Sequence, residues 1–232
     1  MRTFIAAMAA LAAWVCGAAH AQSFNAQEQS EIRAIVRDYL VRNPEVLQEA
    51  IDAMQERASA ERRREIENDR RDFSLGPADA PITVVEFFDY RCPYCHAALD
   101  WVKQLAAGRR DVRIVFKELP VLGPESLEAS RAALAAMRQG RYWQFHQELM
   151  AFRGDLNSSR IDELARRSGV DVTRMRRDMD SEDITALLEK NHNLAYGAGV
   201  SGTPGFLIEG ELVSGFDRDA LERALREAGR RS

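Results

Sequence analysis

The chain has 232 residues, 46% of them hydrophobic and 29% charged, with a formal net charge of −4. A chain of this size can bury a core without metals or disulfides. The mildly acidic balance gives no reason to propose nucleic acid or an anionic membrane surface as a partner.

The first residues read as an export signal. Arg2 supplies the positive end, residues 4–19 form an apolar stretch, and Ala19-His20-Ala21 fits the small-x-small cleavage pattern, so the mature chain is expected to begin at Gln22. A membrane anchor is the alternative, but the alanine-rich stretch falls short of the roughly 20 apolar residues that span a bilayer. Lipid attachment at Cys16 is disfavoured by the bulky Trp14 and Val15 before it, and Cys16 is expected to leave with the signal. Cys92 and Cys95 are then the only mature cysteines, in a chain bound for an oxidising compartment.

Residues 25–72 are polar and helix-prone, broken at Asn43-Pro44, where Asn43 can cap and Pro44 can take the first helical position. The first predicted helix places Ile32, Ile35, Val36, Tyr39 and Leu40 on one face. The second carries Leu47, Ile51, Met54 and Ala58 at spacings alternating between four and three. Such stripes need a cover, either a short coiled-coil seam between copies of the chain or the chain's own globular domain. Arg62, Arg63 and Arg64, interleaved with Glu61, Glu65 and Glu67, read as a solvated helix face.

A breaker-rich joint comes next, at Gly76-Pro77-Ala78-Asp79-Ala80-Pro81. Residues 82–88 are apolar apart from Thr83 and Glu86, as expected of a strand buried on both faces. A helix pattern over 93–107 and a strand pattern over 112–117 complete a βαβ unit. Helical segments fill about 125–197, with Ser158 or Ser159 and Asp171 as caps. Within them Trp143, Phe145, Met150 and Phe152 are expected in the core, and His146 and His192 are given no role. Strand character returns at 206–208, turns at Glu209-Gly210 and resumes at 212–214, before a final helix capped by Asp217.

The chemistry concentrates at Cys92-Pro93-Tyr94-Cys95. Pro93 suits a first helical position, where its missing N–H would be unpaired anyway, and this makes Cys92 the N-cap. Free backbone N–H groups and the helix dipole then favour its thiolate, the nucleophilic form. Cys95 lies one turn inside on the same face, placed to resolve a mixed disulfide at Cys92 while itself shielded. A structural staple is the alternative, but so tight a loop restricts the unfolded chain by only about 2 kcal/mol, against about 3 for a fifteen-residue loop. The pair is therefore read as reactive. Glu86, a lone carboxyl in an apolar run, is either buried, with a raised pKa suited to acid-base work, or turned outward near the strand's edge.

Residues 85–90, Val-Glu-Phe-Phe-Asp-Tyr, running into the Cys92 motif, the helical segments after it, and Val200-Ser201-Gly202-Thr203-Pro204 together resemble the DsbA-type family of periplasmic thioredoxin-fold oxidoreductases, including its DsbC/DsbG-like and ScsC-like members. The resemblance covers the chain from about Phe73 onward. It implies an α/β thioredoxin-like fold with a helical insertion at about 124–198, preceded by a helical N-terminal segment. The expected division is a signal at 1–21, a helical segment at 22–72 and a catalytic domain at 73–232. The resemblance further implies that Thr203-Pro204 is cis and lies against the cysteines, that the Thr203 backbone pairs with substrate peptide, and that Glu86 moves protons at Cys95. Pro93, Tyr94, Thr203 and Pro204 would contact substrate. Family members with histidine between the cysteines use it to stabilise the thiolate; here Tyr94 fills that place and His96 lies outside.

The expected function is a periplasmic protein-disulfide oxidoreductase or isomerase acting on exported cysteine-containing proteins, with a membrane redox partner. Its only redox group would be the Cys92–Cys95 disulfide, with no further cofactor and no resident metal. The alternative is a copper-handling protein binding Cu(I) through Cys92 and Cys95, with His96 as a candidate third ligand. In the resembling family isomerases are oligomers and oxidases mostly monomers, so a homo-oligomer through 25–72 would tilt the activity towards isomerase or reductase.

Overall fold

The computed structural model describes residues 24–231, so the expected signal and Cys16 lie outside the described residues. Two compact units divide between Gln55 and Glu56, inside the second helix.

In the first unit, α1 (Ala26–Arg42) opens on a reciprocal capping box. The Asn25 side chain accepts the N–H groups of Gln27 and Glu28, and the Glu28 carboxylate accepts that of Asn25 at 2.8 Å. Asn43 closes this helix instead of opening the next: its N–H and its side-chain amide both donate to the Tyr39 carbonyl, at 2.9 and 2.7 Å. α2 (Glu45–Glu67) begins after Pro44. No residue of α1 is buried, and Ile35 and Met54 are 68% and 70% exposed.

The second unit is a five-stranded sheet flanked by helices. Its strands are β1 (Phe73–Leu75), β2 (Ile82–Phe88), β3 (Val112–Glu118), β4 (Gly205–Ile208) and β5 (Glu211–Ser214), in the order β1-β3-β2-β4-β5. Only β2 and β3 are parallel, joined through α3 (Pro93–Gly108), and every residue of β2 is buried. The helical insertion comprises α4 (Pro124–Met137), α5 (Tyr142–Ala151), α6 (Ser158–Arg167), α7 (Val172–Asp178) and α8 (Glu182–Gly197), and α9 (Arg218–Arg231) closes the chain. The fold is α/β and thioredoxin-like, as expected.

Two cores explain the burial of β2. On one face Val84, Phe88, Ile114 and Phe116 pack with α3, α4, α5 and α9; on the other Val85, Phe87 and Val115 pack with Leu194 of α8 and Ile66 near the end of α2. Alternation along β2 and β3 puts Glu86 and Glu118 on the first face and Lys117 on the second. Lys117 is fully buried there and pairs with Asp72.

Two further local expectations are corrected, and one strand is added. β1 pairs antiparallel with β3 but is too short for its sequence to show a period. Asn157, not Ser158 or Ser159, caps α6, accepting the Arg160 N–H at 3.0 Å. Arg63 is not simply solvated: it pairs with Glu67 at 2.7 Å and with Glu209 in the β4–β5 turn, whose other oxygen accepts the Thr83 N–H at 2.9 Å. Asp171 and Asp217 cap α7 and α9, each at 3.0 Å.

Candidate active site

The turn from β2 into α3 is built around Asp89. Its carboxylate is fully buried and accepts four hydrogen bonds: from the Arg91 N–H at 2.7 Å, the Ser126 hydroxyl at 2.7 Å, and the Val121 and Leu122 N–H groups at 2.8 and 2.9 Å. One side chain thus fastens the segment after β3 to the segment before Cys92. The backbone continues with the Cys92 N–H donating to the Asp89 carbonyl at 3.1 Å, and Cys92 is the N-cap of α3, with Pro93 next.

Cys92 and Cys95 are both thiols here. The neighbouring Cys95 thiol first, then the Thr203 side chain and the backbone amides of Cys95 and Tyr94, hold the Cys92 pKa down to about 5 against the opposing effect of burial. Burial pushes the Cys95 thiol far up, reinforced by its bond to Cys92 and by Glu86. The asymmetry comes from position: Cys92 at the cap meets the Cys95 thiol, the Thr203 side chain and, last, backbone amides, while the residue one turn inside meets apolar core. Cys92 is nonetheless only 4% exposed, less open than its cap position suggests, beside 1% for Cys95.

The Thr203–Pro204 peptide is cis, and the Thr203 carbonyl lies 3.0 Å from the Cys92 sulfur, accepting its hydrogen bond. The next residue is Gly205, because a Cβ there would stand 2.7 Å from a methyl of Val200. Pro93 and Tyr94 face outward, Tyr94 being 67% exposed. Beside this edge a cavity of about 240 Å³ is lined by Leu119, Val121, His192, Tyr196 and Val200.

Glu86 is buried rather than turned outward, and burial first, then Glu118 and Cys92, raise its pKa to about 8. His96 does not reach a sulfur; its Nε2 lies 2.6 Å from the Tyr90 carbonyl, and burial lowers its pKa. Among the described residues no three His, Cys, Asp or Glu gather to hold a metal ion.

Sequence reasoning passed over Asp89, Glu118 and His146. Glu118 accepts the hydroxyls of Tyr90 at 2.9 Å, Tyr142 at 2.7 Å and Ser130 at 2.7 Å, and His146 Nδ1 lies 3.1 Å from the Tyr90 oxygen. The signal that could have found Glu118 is its place in strand 112–118, where alternation sets it on the side of Ile114 and Phe116.

Residues 83–226 match the DSBA-like thioredoxin domain, and residues 28–61 match the N-terminal domain of the copper resistance protein ScsC. A thioredoxin-like oxidoreductase from Silicibacter pomeroyi is 40% identical with a TM-score of 0.70, the match covering 72% of this chain and 98% of that one. Proteus mirabilis ScsC, in a transitional conformation, is 30% identical with a TM-score of 0.69, covering 90% and 100%. The Na(+)/H(+) antiporter NhaA 3 of Salinispora tropica is 34% identical over 161 residues, 68% of this chain but 25% of that protein. The chain thus spans about a quarter of the length of the curated relatives it matches. The matched stretch 83–226 includes Glu86, the Cys92 turn and the Thr203–Pro204 edge, the parts whose geometry converges on one sulfur, and by that match the chain belongs to the DSBA-like thioredoxin domain family.

Proposed function

We propose that the protein is an exported thiol-disulfide oxidoreductase that forms, reduces or isomerises disulfides in exported proteins through Cys92 and Cys95. The carrying observation is the opposed environment of the two sulfurs, one at a helix cap with its pKa near 5 and the other sealed beneath it.

In the reducing direction the Cys92 thiolate attacks one sulfur of a client disulfide. That S–S bond breaks, a Cys92–client disulfide forms, and the other client sulfur leaves as thiolate. Cys95 gives its proton to the Glu86 carboxylate and attacks the Cys92 sulfur, closing the Cys92–Cys95 disulfide and releasing the second client thiolate. The client gains the two electrons that the cysteine pair loses, and the reverse sequence oxidises a client dithiol. Stopping at the mixed disulfide and returning along another client sulfur is isomerisation. No further cofactor takes part in this scheme.

Clients would be cysteine-containing proteins of the periplasm, reached after cleavage behind Ala21, and a membrane redox partner would reset the pair. Exposed Tyr94, Val121, Leu122 and Tyr196 around Pro93 and the Thr203–Pro204 edge offer an apolar client surface. Residues 22–72 would supply self-association, and 73–232 the catalytic domain. The name carried by the family match over 28–61 keeps a Cu(I) role in view, with the two sulfurs as ligands and His96 engaged elsewhere.

The test compares oxidation of a reduced, unfolded protein with repair of a scrambled one, using protein poised in each redox state and freed of copper. Exchange by the metal-free protein is expected. Absence of both activities would sink the oxidoreductase reading, and recovery only on adding Cu(I) would favour the copper reading.

A further inference from the structure

Glu118 is a second carboxyl on the same sheet face as Glu86, with no part in the exchange steps. Register sets Glu86 opposite Phe116 and Phe88 opposite Glu118, so the two carboxyls are diagonal neighbours across the parallel pair β2–β3. Their surroundings differ. One oxygen of Glu118 accepts the Tyr90 and Tyr142 hydroxyls, and the other accepts Ser130. Three hydroxyl donors converging on one buried group favour its anion, against burial, which leaves its pKa raised to about 8. Glu86 sits among apolar side chains, with the cysteines as its reactive neighbours.

We propose that Glu118 is a positioning residue for thiol exchange: favoured by its three donors, it ionises ahead of Glu86, and its charge then sets the pH at which Glu86 becomes the carboxylate that takes the Cys95 proton. The inference rests on the reading of Glu86 as the proton carrier for Cys95 and adds what governs it.

The groups facing Glu118 come from every element around it: Tyr90 from the turn after β2, Ser130 from α4, Tyr142 and His146 from α5, with Asp89 and Glu86 as the nearby acids. None is a cation. Lys117, next in sequence, points to the opposite face and is occupied by Asp72. Burial holds the His146 pKa down to about 3, so its ring is neutral. With the proton on Nδ1 it donates to the Tyr90 oxygen, which frees the Tyr90 hydroxyl to donate to Glu118. The hydroxyls offset part of the burial at Glu118 and nothing there cancels its charge once it ionises, so its field opposes ionisation of Glu86.

The chemical step is the resolving one. Cys95 loses its proton to Glu86, the Cys95–Cys92 bond forms, and the bond from Cys92 to the leaving sulfur breaks. Glu86 must be ionised to accept, so the resolving rate rises with pH through the Glu86 midpoint, and Glu118 sets where that rise falls.

Reduced full-length protein would be mixed with saturating oxidised glutathione, and release of the second glutathione measured against pH. In Glu118→Gln the side chain keeps its partners, since the amide oxygen can accept both tyrosines and the amide nitrogen can donate to Ser130. The rise is expected to move to lower pH by about one unit, the scale on which one carboxylate shifts another. Tyr142→Phe removes one donor to the Glu118 anion and should shift the rise the same way by less; it serves also if Glu118→Gln does not fold. In a Glu86→Gln background the rise should be absent and Glu118→Gln should add nothing. An unmoved rise in both Glu118→Gln and Tyr142→Phe, even with lowered thermal stability, would assign Glu118 to structure alone and overturn the proposal. A shift that persists without Glu86 would overturn it too. If Glu86→Gln by itself leaves the profile intact, the Glu86 reading fails first, a separable result.

Discussion

Cys92 and Cys95 stand three residues apart in one helix, yet their protons are held by opposite forces. Replacing Cys95 with Ser removes the resolving thiol while leaving the cap, so mixed disulfides with clients should accumulate and be captured on non-reducing gels. Cys92→Ser should capture none; full exchange activity in that variant would reverse the assignment. The low Cys92 pKa also bears on stability. Its folded value, about 5, lies below the ordinary thiol value of 9.0, so its contribution is complete above about 9 and is lost as pH falls towards 5. At pH 7 a shift of this size corresponds to about 2–3 kcal/mol in favour of the folded reduced protein. Urea unfolding of reduced wild type against Cys92→Ser should show a gap at pH 7 that closes by pH 4, and an equal gap at both would remove the thiolate argument. These residues were legible because a cysteine before a proline at a strand end can only be a cap. Glu86 was half legible: its apolar run showed a lone carboxyl, but only the packed sheet shows which way it turns. Glu118 offered only the alternation at the end of its strand and His146 no local sign, since what marks them is the company of Tyr90, Tyr142 and Ser130, brought together from separate elements.

The elements most readable in sequence were those with long, pure patterns. β2, α3 and β3 fall within a residue of their expected bounds because each is buried along its length or along one clear face. β1 was missed since three residues cannot show a period, and its existence depends on the free edge of β3, which sits far away in sequence. The α6 cap was misplaced by one or two residues because Asn157 and the serines after it compete on nearly equal terms for the same N–H groups. The connection between elements that matters most for the site is Asp89. Removing its carboxylate leaves the Arg91, Val121 and Leu122 N–H groups and the Ser126 hydroxyl without their acceptor. With each stranded buried donor costing about 1–3 kcal/mol, Asp89→Ala should lose about 3 kcal/mol or more in urea unfolding, and Asp89→Asn less. A loss under about 1 kcal/mol would mean that water replaces the carboxylate and that the turn does not depend on it.

At the scale of the whole molecule the question is what covers the stripes of α1 and α2. Sequence texture changes at Gly76-Pro77, which makes 22–72 look separable from the rest of the chain, but contacts reach back across that joint. Ile66 is 3% exposed against Val85, Phe87 and Leu194, Arg63 reaches Glu209, and Asp72 is the partner of buried Lys117. Periodicity carries no sign of these pairings. A chain cut to begin at Phe73 would leave Lys117 buried without its counter-ion, which costs about 3–5 kcal/mol, and would uncover the surface under Ile66. One beginning at Glu56 keeps all three contacts. The second should therefore fold and exchange thiols normally, and the first should be less stable in urea by about 3 kcal/mol or more. What the Glu56 chain loses is the run through Ile32, Val36, Leu47, Ile51 and Met54, which stays exposed in the single chain. Large apolar side chains at helical spacing, left in water, are the mark of an association surface, and the narrow stripe on α2 suits a helix-to-helix seam between copies. The mature protein is accordingly expected to be an oligomer by sedimentation and to repair scrambled disulfides, while the Glu56 chain is a monomer that exchanges thiols without repairing. Ile51→Glu in the full chain places a charge in the seam and should give the same monomer with the cysteine site intact. If the mature protein sediments as a monomer at all concentrations tried, the stripe does not join copies, and oxidation rather than isomerisation becomes the favoured direction.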